Sequence, residues 1–166
     1  MIDDNTLYKE EKAIFNSVLN QKAELHNIKS AIKQLTIYIT RKFNKAPIIL
    51  IDEYDTPIQK AYLSIYYQEM MDLMRSMLGK SLKDNSCLGR AVITCITRVS
   101  QESLFSGLNH LKVYSLLREK YGQYFVFTEE EVIKLIKETK QKVSLNAIKE
   151  WYNGYQLGKH ILYNPC

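Results

Sequence analysis

The chain has 166 residues, 46% of them hydrophobic and 25% charged, with a formal charge of +5 and only six glycines and three prolines. That length can bury an ordinary core as one domain, and the composition argues against disordered, linker-rich and fibrous classes. No apolar run approaches the roughly 18 residues of a membrane span, and residues 1–12 have the polarity of neither a signal nor a transit peptide, so the expectation is a cytoplasmic protein.

The first helix is expected over residues 10–19. From Leu25 the apolar positions Leu25, Ile28, Ile32, Leu35, Ile39 and Phe43 recur every three or four residues, the pattern of one amphipathic helix over 25–43 that packs beside the first. Periodicity then stops. Ile48 to Ile51 is a continuous apolar run, which suits a central parallel strand covered on both faces. Thr56, Pro57 and Gln59 read as cap, first helical residue and capping-box partner of a long helix ending near Leu82. Its expected buried face is Ala61, Tyr62, Ile65, Tyr66, Met70, Leu73, Met74 and Met77.

After a turn at 83–89, AVITCIT (91–97) is a second β-branched run. Strand, helix, strand makes a right-handed βαβ unit with parallel strands. Asp52 and Arg98 would then leave the sheet at one carboxyl edge, where open α/β sheets bind ligands. Short helices are expected at 101–108 and 115–121 and a third strand at 124–127. Thr128 and Glu131 form a capping box for a helix carrying Val132, Ile133 and Ile136. A helix through Ile148 and Trp151, a stop at Gly154 and extended pieces at 155–157 and 161–163 close the chain.

The chemistry gathers in PIILIDEYDTP, residues 47–57. An Asp at the tip of a buried strand offers Mg²⁺ a fixed hard oxygen, and the following Glu can orient an attacking water. Asp52 and Glu53 thus form the Walker B pattern of many ATPases. The structural alternative is that acids at a strand end cap the next helix, a reading open for Asp55. Thr97 and Arg98 close the neighbouring strand, where they can sense a γ phosphate or bind a substrate anion, or form a surface ion pair. The matching phosphate loop, GxxxxGK[ST], does not occur. Gly79, Lys80 and Ser81 spell its end, but Met74 stands where its first glycine belongs, and the tripeptide lies inside a helical pattern. Cys87, Cys95 and Cys166 lack metal-ligand or disulfide-framework spacing, and the three histidines are scattered. The interleaved charges leave nucleic acid undecided as a partner, and the twelve tyrosines read as core edges rather than a base-stacking platform.

Four segments in order, LIDEYDTPIQKAY, TRVSQESLFSGLNHLKVYS, YFVFTEEEV and WYNGYQLG followed by YNP, resemble the AAA-ATPase-like domain family of prokaryotic proteins. These are P-loop ATPase relatives, often fused to a nuclease-like domain of the PD-(D/E)XK type. The resemblance runs from about residue 10 to the end. It implies an α/β fold: a helix-rich remnant of an AAA-like P-loop NTPase with a small parallel sheet flanked by helices, missing the Walker A strand and loop. Residues 1–166 would be one partial domain, its C-terminal helices and short hairpin lying in 128–166. It implies Asp52 as metal residue, Glu53 as catalytic acid, Thr97 and Arg98 as sensor-like cofactor-binding residues, and ATP with Mg²⁺ as ligands. Cys95 and Asn153 depart from the small Gly and the Asp expected of the family. A chain lacking its phosphate loop would bind ATP poorly and be inactive alone, and its exposed sheet edges would favour self-association. The rival reading is a non-catalytic interaction module. A metal nuclease is disfavoured because 91–97 contains no acid.

Overall fold

The computed structural model describes residues 6–83, 85–95, 104–105, 108, 111–115, 119–122, 124, 126–152, 155–157 and 160–164. The chain forms two compact units, Met1–His110 and Leu111–Cys166.

In the first unit the elements run α1 (Lys9–Leu19), α2 (Leu25–Ile28), α3 (Ala31–Phe43), β1 (Ile48–Ile51), α4 (Thr56–Tyr62), α5 (Tyr67–Leu82) and β2 (Arg90–Ile93). Strands β1 and β2 pair in parallel, Ile48 opposite Arg90 through Ile51 opposite Ile93, as the strand, helix, strand order requires. Gly89 sets their entry. A Cβ there would lie 3.1 Å from the carbonyl oxygens of both Ala46 and Pro47, and the Gly89 amide donates to the Pro47 carbonyl at 2.9 Å.

Two long helices expected from the periodicity are each broken, and by one device. Ser30 donates its hydroxyl to the His26 carbonyl at 2.9 Å while its amide turns to Asn27, three residues back, at 3.1 Å. Ser64 likewise donates its hydroxyl to the Lys60 carbonyl at 3.2 Å and its amide to Ala61 at 3.0 Å. A serine hydroxyl that takes the carbonyl four residues back competes with the helical ladder and tightens the turn. Helix 25–43 therefore divides into α2 and α3, and helix 58–82 into α4 and α5.

The second break moves the buried face. Ala61 and Met74 are buried as expected, joined by Met71, Leu78 and Leu82, but Tyr62, Ile65 and Tyr66, expected on that face, are 73%, 102% and 44% exposed. Helix α5 packs against α3 and α4 through that face. Arg41 ties α3 to α1 by a fork onto Glu11, at 2.7 and 3.0 Å, with its guanidinium 4.8 Å over the Tyr8 ring.

Strand β1 also differs from expectation. Ile49 is buried, but Ile48 and Leu50 are 61% and 74% exposed, as is Val92 of β2 at 57%. The apolar run encodes burial on both faces; among the described residues only one face is covered.

The second unit holds α6 (Glu119–Gly122), β3 (Phe127–Thr128), α7 (Glu129–Thr139), α8 (Leu145–Tyr152), β4 (Tyr155–Leu157) and β5 (His160–Tyr163). Its sheet is antiparallel in the order β3, β5, β4. The third strand expected at 124–127 thus begins only at Phe127 and belongs to this sheet, with Tyr124 outside it and 75% exposed. The Thr128 and Glu131 capping box forms as expected. Glu129 accepts from the Tyr163 hydroxyl at 2.7 Å and pairs with Lys149 at 2.9 Å, joining α7, α8 and β5. Most of 101–108 and part of 115–121, and the stop at Gly154, lie outside the described residues. Among the described residues no helix is long and apolar enough to cross a membrane.

Candidate functional site

The acids after β1 divide by direction. Asp52 and Glu53 are exposed, while Tyr54 and Asp55 are buried at 4% and 2%. Tyr54 anchors the turn, its ring meeting Phe105 edge to face at 5.3 Å between centroids. Asp55 occupies the N-cap position of α4 and accepts from the Gln59 side chain at 2.8 Å. The N-cap position is therefore taken by Asp55, not by Thr56 as the sequence suggests, and its side chain makes no capping hydrogen bond to the backbone. An acid there also complements the positive helix start. Thr56 instead donates its hydroxyl to the Glu53 carboxylate at 3.3 Å.

Glu53 takes φ of 49°, the left-handed region that a side chain disfavours. Its amide points at Asp52 Oδ1, 3.1 Å away, and at Thr94 Oγ1, 3.2 Å away. The Thr94 hydroxyl in turn donates to Asp52 Oδ1. Thr94 extends the β1–β2 ladder past the strand ends: its amide donates to the Ile51 carbonyl at 2.9 Å and its carbonyl accepts from the Tyr54 amide at 3.1 Å.

Sequence reasoning missed Thr94. It took AVITCIT as strand through Thr97, whereas β2 ends at Ile93. The first polar side chain beyond the strand, one step past the Ile51 and Ile93 pair, is then Thr94 opposite Asp52. Matching the two strands residue for residue from their apolar ends would have found it. Thr97 and Arg98 lie outside the described residues.

Gly79, Lys80 and Ser81 sit within α5, as the periodicity indicates. Ser81 is fully buried and donates to the Met77 carbonyl at 2.6 Å, and Lys80 reaches Ser30 Oγ at 3.0 Å. These groups form no loop that could cradle a phosphate. Among the described residues no three His, Cys, Asp or Glu side chains gather around a common point. A lone exposed carboxylate at a strand end fits Mg²⁺, which keeps several waters and takes its remaining ligands from substrate phosphates.

A family model described as a predicted AAA-ATPase matches residues 4–105. Among curated proteins, the chain is 29% identical over 119 residues to an uncharacterized protein in the vnfD 5′ region of Azotobacter chroococcum mcd 1. The match covers 71% of this chain and 23% of the relative, so the chain spans about a quarter of that protein's length. No solved structure matches.

Proposed function

The chain belongs to the AAA-ATPase-like family of predicted AAA-ATPases, and from that premise we propose that its first unit supplies the metal and water side of an ATP site in an AAA-like P-loop fold. Asp52 holds the Mg²⁺ side and Glu53 orients and activates water. The family resemblance adds Thr97 and Arg98 as the residues that bind the nucleotide phosphates. The observation that carries this reading is the placement of two adjacent exposed carboxylates directly beyond β1 of a parallel pair.

Bound Mg²⁺ would supply charge neutralisation at the phosphates. The chain's own residues do the rest. Asp52 presents a carboxylate oxygen from a fixed strand end, and the turn at Glu53 carries the second carboxylate out of the sheet beside it. Thr56 restrains the Glu53 side chain through its hydroxyl.

The grip on the triphosphate comes from elsewhere in the complete protein, because GxxxxGK[ST] does not occur in these 166 residues. Without that loop several charge-assisted hydrogen bonds are lost, each about 1.5 to 3 kcal/mol, so this chain alone binds ATP weakly and is inactive. Its exposed sheet edges favour pairing with a second copy, and the family resemblance implies a nuclease-like domain as a partner in the complete protein.

The test is calorimetric titration of the complete polypeptide with ATP, with and without Mg²⁺. Asp52→Asn should remove the Mg²⁺-dependent part of the affinity; equal Mg²⁺ dependence in both proteins would overturn the assignment. A second reading, a non-catalytic interaction module, is favoured by the exposed Tyr62, Leu63 and Ile65. It expects no nucleotide response at all from the complete protein.

A further inference from the structure

Every polar group of Thr94 engages the turn that carries the two acids. Its amide and carbonyl bond Ile51 and Tyr54, and its hydroxyl donates to Asp52 Oδ1 while accepting the Glu53 amide. A threonine hydroxyl offers one donor and two acceptor sites, and here both kinds are in use. The donated hydrogen bond engages Oδ1 and restrains the rotation of the carboxylate, so that Oδ2 is left for other ligands. The accepted bond helps hold Glu53 in its left-handed conformation.

We propose that Thr94 is the positioning residue of this site, clamping the Asp52 carboxylate and the Glu53 backbone so that one carboxylate oxygen stays aimed at a divalent cation. The inference rests on the reading of Asp52 as the metal-side residue. Thr94 touches neither metal nor nucleotide. It acts through Asp52, as partners behind a ligand fix that ligand's orientation and basicity.

Backbone bonds at residue 94 are independent of its side chain, so Thr94→Val should keep the fold while removing both hydroxyl contacts. The experiment titrates the 166-residue chain with millimolar Mn²⁺ and follows paramagnetic broadening of backbone amide resonances. Wild type should show broadening centred on residues 51–54. Thr94→Val should raise the apparent Mn²⁺ Kd about 10- to 100-fold, the range for loss of an orienting partner. Thr94→Ser, which keeps the hydroxyl, should restore it to within about twofold by the same argument. Thermal midpoints of both variants separate a loss of fold from a loss of aim, and Thr94→Ala provides the same reading should valine disturb the packing.

If Asp52→Asn abolishes the broadening but the folded valine and alanine variants titrate like wild type, the positioning role is wrong and the metal role of Asp52 stands. Wild type without localised broadening, or Asp52→Asn behaving as wild type, overturns the metal reading and the Thr94 inference with it. A serine variant as weak as valine also overturns it, because hydroxyl chemistry would then not be the cause.

Discussion

Glu53 spends conformational free energy that most residues at a strand exit do not. A side chain in the left-handed region costs roughly 1–2 kcal/mol relative to the ordinary regions, and glycine escapes that cost. Glu53→Gly should therefore be more stable than Glu53→Ala by roughly 1 kcal/mol in urea unfolding, although neither variant retains the carboxylate. Equal stability of the two would show that the turn relaxes freely. Strain of this kind tends to mark functional turns, which agrees with the role given to Glu53. A second residue-scale test uses Glu11, whose carboxyl is held below its usual range first by its hydrogen bond with Arg41. The folded value is depressed, so the pair's stabilisation is present above the unfolded pKa of about 4.3 and is lost as pH falls through the folded value. Wild type and Arg41→Met should differ in stability at neutral pH and converge in acid. At the alkaline end, burial and then Glu129 push the Tyr163 phenol up to about 12. The second unit should lose stability as pH rises from about 10, where the unfolded phenol begins to ionise, toward that value.

At the scale of elements, α5 carries the packing of the first unit. Leu78 is fully buried on it, and Leu78→Ala should cost about 2 to 5 kcal/mol in denaturant unfolding, through lost burial and the cavity left behind. A loss below about 1 kcal/mol, the scale of a surface substitution, would mean that α5 does not sit against α3 and α4 as described. The parts legible in the sequence were those written in local chemistry: the apolar run of β1, the parallel pairing forced by an intervening helix, and the Thr128 and Glu131 box. Two kinds of element were not legible. Ser30 and Ser64 interrupt helices because a hydroxyl competes for a carbonyl, and apolar periodicity continues through such a break undisturbed. The end of β2 was misplaced because AVITCIT stays β-branched beyond the last paired residue, which hid Thr94 behind Thr97. Asp55 and Thr56 both suit a cap, and only the direction of the chain after Tyr54 decides between them.

At the scale of the whole molecule, the first unit carries a parallel sheet with one face open among the described residues. Ile48, Leu50 and Val92 leave one face of the β1–β2 sheet exposed, and a sheet in this fold class is ordinarily covered on both. The second unit keeps its own antiparallel sheet and its own Glu129, Lys149 and Tyr163 cluster. The matched family region, residues 4–105, falls within the first unit and ends near its boundary at His110. The ATP chemistry proposed above accordingly belongs to the first unit. Its most direct test is single-turnover ATP hydrolysis by the complete polypeptide with Glu53→Gln. The account predicts that the variant still retains Mg·ATP while hydrolysis falls about 10²- to 10⁴-fold, the contribution of a positioned general base. Hydrolysis at the wild-type rate by the glutamine variant would contradict it.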